Sequence, residues 1–167
     1  SLLNLKDLDK YKNLIVIKSI GKSYGIGGLR LGVLASSNKE IIHSMKKNMP
    51  IWNINSLSEF FLQIFGKYES EYIDSCKKIC RRREELLDKL ENIKFINTYP
   101  SQANYILCEI IGEKATVVAS KLCEEYSILV KDCSKKEGLK ENNCIRIAVR
   151  DTQDNNYLIE SLSQLEF

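Results

Sequence analysis

The spacing of apolar and polar positions predicts a strand, a loop, a second strand and a helix in the first part of the chain. Residues 14–19 form a short apolar-rich run typical of a buried strand, and residues 31–35 form another. Asn38 is a favourable N-cap for a helix that continues to about Asn48. Pro50 then prevents the helix from continuing. We therefore expect two strands and a capped helix in this region.

A long amphipathic helix separates this first layer from a second one. Ser56 and Glu59 have the spacing of a capping box and predict a helix that begins there. From residue 69 to residue 91, apolar positions recur every three or four residues among charged ones, which predicts one long helix. Short strands and helices then alternate as an α+β layer. The predicted strands cover residues 94–97, 104–110, 128–130 and 144–149, and the predicted helices cover residues 114–125 and 155–165.

Composition and charge indicate a globular protein and exclude several classes of function. The chain has 167 residues, of which 44% are hydrophobic and 28% are charged, so it is long and apolar enough to bury a core. The net charge of +3 is too small to indicate a nucleic-acid partner. The basic run at residues 81–83 is followed at once by two glutamates, as on a solvated helix face. No apolar run approaches the ~20 residues of a membrane span, so we expect no membrane partner.

The six cysteines do not have the spacing of a structural metal site or of a disulfide framework. They are scattered, without a Cys-x-x-Cys pair, and the one histidine, His43, is distant from them in sequence. We therefore predict no metal, reduced and mostly buried thiols, and a cytoplasmic location.

The glycine-rich run at residues 19–32 is the strongest candidate for chemistry. It fails as a Walker loop, because Val16 stands where that motif needs a glycine, and as a dinucleotide fingerprint, because Arg30 replaces the third glycine. Two interpretations remain open. One is a turn with a solvated lysine. The other is an amine, Lys22, between two phosphate ligands, with Ser19 three residues before it and Arg30 eight residues after it.

This run resembles the cofactor-lysine segment of the class I and II, fold type I, pyridoxal-phosphate-dependent aminotransferases, particularly the histidinol-phosphate aminotransferase group. The resemblance implies that Lys22 binds pyridoxal phosphate as an aldimine and that Ser19 and Arg30 hold the cofactor's phosphate. The chain departs from the family at two positions. Gly21 stands where members usually carry serine, and Gly27 stands where they often carry proline or alanine.

The resemblance extends to the C-terminal part of the chain. It implies that Asn104 faces the substrate, that Arg146 binds the substrate carboxylate, and that Lys131 replaces an arginine thought to contact a distal phosphate. From the residues alone, an alternative stays open in which Arg146 and Arg150 are surface arginines beside a strand. The segments that carry the resemblance are residues 100–107, 128–134 and 145–150.

The implied fold is α/β and corresponds to the C-terminal half of such an enzyme. Residues 1–68 would be the end of the cofactor-binding large domain, with mixed or parallel sheet strands. Residues 69–92 would be the connecting helix, and residues 93–167 a small C-terminal α+β domain. The aspartate that contacts the pyridine nitrogen is expected about thirty residues before the lysine, whereas 21 residues precede Lys22.

The implied activity is transfer of an amino group between an amino acid and a 2-oxo acid, in a full-length homodimer. Three alternatives remain open: a threonine-phosphate decarboxylase-like enzyme, the pyridoxal-phosphate half of a bifunctional nucleotidyltransferase and aminotransferase, and a fragment that is inactive by itself and folded around its small domain.

Overall fold

The computed structural model describes residues 5–139 and 142–166, which form two compact units. The first unit is Ser1–Tyr72 and the second is Ile73–Phe167. The predicted division into residues 1–68, 69–92 and 93–167 stays a prediction. Residues 1–4, 140, 141 and 167 of these segments lie outside the described residues.

The first unit contains a two-stranded antiparallel sheet with helices before and after it. Strands β1 and β2 pair in a register that joins Val16 to Ala35 and Ser19 to Gly32. Both predicted strands are present, and the antiparallel pairing fits the mixed-sheet form of the expected fold class. The predicted burial of the first strand is wrong, because no residue of β1 is buried and Ile17 is 77% exposed. The elements in chain order are α1 (Leu5–Lys10), β1 (Val16–Ser19), α2 (Ile20–Ser23), β2 (Gly32–Ala35), α3 (Lys39–Asn48), α4 (Ser56–Phe65) and α5 (Glu69–Leu90), whose first turn belongs to this unit.

Asparagines cap the two middle helices of the first unit. The Asn38 side chain accepts hydrogen bonds from the backbone N–H groups of Glu40 and Ile41, as predicted. The predicted capping box at Ser56 is wrong, because Asn55 is the N-cap of α4 and accepts from the Ser58 N–H at 2.9 Å. Asparagine is among the best N-cap residues. The cap is therefore residue 55, one residue before the predicted cap, and the helix itself begins at Ser56.

The second unit is a four-stranded antiparallel sheet with three helices packed on one face. The strand order is β3-β4-β6-β5. Alternate residues of β4 are buried, as expected for a strand with one face on the core. The core contains side chains from the sheet, α5, α6 and α7. The elements after α5 are β3 (Ile96–Thr98), β4 (Tyr105–Ile110), α6 (Ala115–Tyr126), β5 (Lys131–Asp132), β6 (Cys144–Ala148) and α7 (Thr152–Gln164).

The predicted strand at residues 128–130 is wrong, since β5 begins only at Lys131. The reason lies in the end of α6. Ser127 adopts a left-handed conformation with φ of 56°, and the Ile128 N–H donates to the Leu122 carbonyl at 2.9 Å. This six-to-one bond is characteristic of a Schellman motif, so the backbone of Ile128 completes the helix terminus and does not pair in the sheet.

Among the helices of residues 5–139 and 142–166, none has both the length and the apolar character needed to traverse a bilayer.

Candidate functional site

Lys22 lies in a tight turn that begins where β1 ends. Ser19 is the last residue of β1 and the N-cap of α2, and its hydroxyl oxygen accepts from the Lys22 backbone N–H at 3.4 Å. The Ser23 hydroxyl donates to the Ser19 carbonyl at 3.1 Å. The predicted loop is therefore partly helical at residues 20–23, and the Lys22 side chain is exposed.

A backbone bridge closes the glycine-rich run on itself. The Gly21 N–H donates to the Leu31 carbonyl at 3.1 Å. Lys22 follows one end of this bridge and Arg30 precedes the other, while Ser19 lies opposite Gly32 in the sheet. The fold therefore gathers the three residues predicted to hold the cofactor at one end of the β1–β2 pair.

Gly21 is the most closely packed glycine of this turn. A Cβ at residue 21 would lie 3.1 Å from the Ile26 carbonyl oxygen, closer than most real Cβ contacts. The Ile26 N–H in turn donates to the Gly21 carbonyl at 2.8 Å. The absence of a side chain at residue 21 thus lets the turn close tightly before Lys22.

Arg30 is held in an unusual backbone conformation by two side chains of the later helix region. It has φ of 55° and ψ of 33°, the left-handed region that non-glycine residues rarely adopt. The preceding carbonyl, that of Leu29, accepts from the Ser58 hydroxyl at 2.7 Å and from the Asn55 side-chain amide at 3.1 Å. Ser58 is almost fully buried. These contacts fix the direction in which the chain presents Arg30.

Asn55 and Ser58 were missed by the sequence reasoning. The local pattern shows only an asparagine and a serine at the start of a helix, which a cap explains fully. Their second role depends on contacts with Leu29, which precedes Asn55 by 26 positions and Ser58 by 29. The one available signal was the spare amide N–H group of an asparagine cap, which has no function within the cap itself.

An aromatic cluster secures the other end of the turn. The Tyr24 ring lies 4.5 Å from the Phe65 ring and 4.4 Å from the Tyr72 ring, measured between centroids. The Tyr72 hydroxyl donates to the Ser23 carbonyl at 3.1 Å. Tyr24 therefore has a packing role, and the turn that carries Lys22 is attached to α4 and to the first turn of α5.

A pocket of about 300 Å³ adjoins Arg30 within the first unit, but neither Ser19 nor Lys22 lines it. Among the described residues, the Lys22 ammonium and the Arg30 guanidinium have no side-chain hydrogen bond or ion-pair partner. Both cations are thus available to an anion.

In the second unit, Arg146 and Lys131 lie side by side on the exposed face of the sheet. They are direct partners in the β5–β6 register, and Leu107 is the partner of Arg146 on the other side. The Cζ atom of Arg146 lies 5.0 Å from the centroid of the Tyr105 ring. Two cations directly opposite each other repel, so this pair is suited to an anionic ligand.

Asn104 directly precedes β4, close to this pair in the sheet. Its carbonyl accepts from the Val149 N–H at 3.0 Å, which places it opposite the end of β6. Two hydrogen bonds from side chains stabilise the turn before it. The Ser101 hydroxyl donates to the Tyr105 carbonyl at 2.5 Å, and an Nη of Arg83 donates to the Ala103 carbonyl at 3.3 Å. Asn104 therefore lies opposite Val149, three positions along the register from the Lys131–Arg146 pair.

Arg150 differs from Arg146 in having a carboxylate partner. Its Nε donates to Asp154 at 2.5 Å. The hydrogen bond and the charge of Asp154 raise the pKa of Arg150 above the usual arginine value. No such partner exists for Arg146 in the described part of the chain. Of the two arginines, Arg150 thus has one donor already paired with a carboxylate, and Arg146 is the better candidate to bind the carboxylate of a substrate.

His43 and Trp52 lie outside these clusters. His43 lies exposed on α3, and the Trp52 side chain is 89% exposed. The expectation of mostly buried thiols is only half correct. All six cysteines are free, but three are buried (Cys108, Cys133 and Cys144), Cys76 is half-buried, and Cys80 and Cys123 are exposed. Within the ranges that the structure describes, no three potential ligands gather to hold a metal ion.

The sequence and the structure both match known proteins. Residues 2–162 match the family model described as aminotransferase class I and II. The chain is 34% identical over 164 residues to the L-serine phosphate decarboxylase of Sulfurospirillum multivorans. This alignment covers 94% of this chain and 40% of that protein. It is 35% identical over 159 residues to the histidinol-phosphate aminotransferase of Caldanaerobacter subterraneus, covering 95% of this chain and 43% of that protein.

A solved decarboxylase structure from Sulfurospirillum multivorans superposes with a TM-score of 0.85 at 32% identity. The match covers 99% of this chain and 48% of that one. The chain thus spans less than half the length of these three matches, and the predicted α/β fold class is confirmed.

Proposed function

The chain belongs to the class I and II aminotransferase family, and we propose that it provides the cofactor lysine, the phosphate ligands and the substrate clamp of a pyridoxal-phosphate enzyme that acts on amino acids. Pyridoxal phosphate is the cofactor of this family, which includes aminotransferases and decarboxylases. The proposed reaction is amino-group transfer to a 2-oxo acid, as in the histidinol-phosphate aminotransferase group.

The residues of the first unit fit this cofactor chemically. Lys22 provides an exposed amine for its carbonyl group, and Arg30 and Ser19 provide a guanidinium and a hydroxyl for its phosphate. The observation that carries the proposal is the Gly21 to Leu31 bridge, which brings these three residues to one end of the β1–β2 pair. A solvated lysine in an ordinary turn does not require Arg30 to be held in the left-handed region.

In the proposed mechanism, the Lys22 amine would hold the cofactor through its carbonyl group until the amine of the substrate replaces it. The freed Lys22 amine could then accept a proton from the Cα atom of the substrate and return it. When bound, pyridoxal phosphate supplies a ring that withdraws electrons from the bonds at Cα. Arg146 binds the substrate carboxylate through its paired N–H groups and so orients those bonds. Asn104 borders the substrate, and Lys131 provides a second positive charge for an anionic side chain.

Decarboxylation of a phosphorylated amino acid is the second candidate. It is favoured by the similarity to the L-serine phosphate decarboxylase and by the position of Lys131 directly opposite Arg146, since two adjacent cations suit a substrate with two anionic groups. The choice depends on which bond at Cα is aligned, and this differs between two orientations of the same clamp. Assays of carbon dioxide release and of oxo-acid formation from O-phospho-L-serine separate the two reactions.

The experiment that tests the cofactor site is borohydride reduction of the intact protein with pyridoxal phosphate, followed by peptide mass spectrometry. We expect one pyridoxyl group per chain, on Lys22, and loss of cofactor absorbance and activity in Lys22→Ala. Lys18→Ala is the matched control, because it removes a lysine from the adjacent strand, and it should retain both. A reduced adduct elsewhere, or unchanged activity in Lys22→Ala, contradicts the assignment.

We further propose that the intact enzyme is a homodimer and that the 167-residue chain is inactive by itself. Sedimentation of the intact protein checks the first statement. Turnover by the isolated chain with pyridoxal phosphate would contradict the second.

A further inference from the structure

A ring contact in the second unit bears on how the substrate clamp is held. Tyr105 faces Ala148 directly across the β4–β6 pair, while Arg146 is its diagonal neighbour. The small side chain of Ala148 leaves room for the ring to lean along the sheet. An aromatic ring reaches a diagonal neighbour at such spacing, and here the guanidinium carbon lies 5.0 Å from the ring centroid.

The two residues directly opposite Arg146 provide no comparable restraint, and Glu109, its other diagonal neighbour in β4, forms no ion pair with it among the described residues. Lys131 is its direct partner in β5, and the like charge repels the guanidinium from that side. Leu107, its partner in β4, offers no polar atom on its side chain. The Tyr105 ring attracts the guanidinium from the β4 side, and Lys131 repels it from the β5 side. Both effects therefore favour a position of the guanidinium toward β4.

The type of contact matters for binding. The N–H donors of a guanidinium point outward in its plane, whereas a ring interacts with its face. A carboxylate partner, such as Asp154 beside Arg150, uses those donors. A ring restrains the group and leaves all of them available.

We propose that Tyr105 is the positioning residue of the carboxylate clamp. Its ring holds the Arg146 guanidinium by its face, so that the N–H edge remains available for the substrate carboxylate. The inference rests on the proposed role of Arg146. Tyr105 itself is anchored, because the Ser101 hydroxyl donates to its carbonyl. The tyrosine hydroxyl has no part in the role.

The first measurement detects the contact without any enzyme activity. In the NMR spectrum of the chain, the ring current of Tyr105 should shift the Nε–H and Cδ protons of Arg146 upfield. The shift should persist in Tyr105→Phe and disappear in Tyr105→Leu. Tyr99→Leu, which removes another partly exposed tyrosine directly after β3, is the matched control and should leave the shift unchanged.

The second measurement connects the contact to binding. O-phospho-L-serine, titrated against the same Arg146 signals, should bind about two- to fivefold more weakly in Tyr105→Leu, as expected for an exposed cation–π contact. Tyr105→Phe and Tyr99→Leu should bind as the unmodified chain does. In the intact enzyme, KM for this substrate should rise by the same factor while kcat is unchanged.

Three results would overturn the inference: no upfield shift in the unmodified chain, unchanged affinity in Tyr105→Leu after the shift is lost, or equal losses in Tyr105→Phe and Tyr105→Leu. The proposed function fails differently. If no cofactor adduct forms at Lys22 but the affinity still falls in Tyr105→Leu, the positioning role stands and the assigned reaction does not.

Discussion

Replacement of Asn55 by alanine should destabilise the first unit more than loss of a helix cap alone. The Asn55 side chain has two separate contacts. Its oxygen accepts from the Ser58 N–H at 2.9 Å, and its amide donates to the Leu29 carbonyl at 3.1 Å. The first contact caps α4, and the second holds the residue before Arg30.

The structure permits an approximate magnitude for each contact. Loss of an asparagine N-cap costs about 1 kcal/mol. A hydrogen bond to a backbone carbonyl contributes about 0.5–1.5 kcal/mol, and the exposure of Asn55 places it toward the lower end of that range. The total for Asn55→Ala is therefore about 1.5–2 kcal/mol.

The matched control is Asn38→Ala, since Asn38 caps α3 in the same unit and its side-chain contacts are with the two N–H groups of its own helix. This variant should lose about 1 kcal/mol. Urea-dependent hydrogen exchange, monitored at the Leu29 amide and at amides of α3 and α4, gives both free energies of unfolding. In the intact enzyme, Asn55→Ala should also weaken cofactor binding. Equal losses in the two variants would refute the reasoning, because the bond to Leu29 would then contribute nothing.

Two further predictions concern Arg30 and Asp132. Because Arg30 occupies the left-handed region, Arg30→Gly should be about 1 kcal/mol more stable than Arg30→Ala by urea unfolding, while both lose cofactor affinity; equal stabilities would show that residue 30 is not strained. The hydrogen bond from the Ser134 hydroxyl, with help from its backbone N–H and from Thr116, lowers the pKa of Asp132 below the ordinary aspartate value. The ionised Asp132 carboxylate should thus stabilise the fold fully at pH values above the ordinary aspartate pKa, and less as the pH falls toward the lowered pKa. Carboxyl NMR titration should show that the pKa of Asp132 returns toward normal in Ser134→Ala. The control variant Ser120→Ala should leave it lowered.

Sequence reasoning grouped candidate residues where they are close together in the sequence. Ser19, Lys22 and Arg30 lie in one short run, so their spacing alone grouped them, and the fold then joins the ends of that run. Asn55 acts on this run from a distant helix start, and Tyr105 acts on Arg146 across a sheet. Contacts of this kind depend on the tertiary register, which local spacing does not contain.

The fold was predictable to the same extent and for the same reason. The periodicity predicted a helix over residues 69–91, and α5 covers Glu69–Leu90. The agreement is close because the start and end of a long amphipathic repeat are visible in the sequence itself. The two-residue strand β5 was misplaced. An apolar run at residues 128–130 is typical of a strand, but its first backbone N–H completes the end of α6. Such competition for backbone groups is decided only once the helix end is formed.

The tight packing at Gly21 connects the two departures from the family pattern. The Cβ of any larger residue at position 21 would lie 3.1 Å from the Ile26 carbonyl oxygen and 3.4 Å from the Cα of Gly27. A side chain at position 21 therefore requires the Ile26 carbonyl to move by a few tenths of an ångström. Such a movement also affects the bond in which the Ile26 N–H donates to the Gly21 carbonyl. The size of residue 21 is thus linked to the backbone five residues later, in the same turn as Lys22.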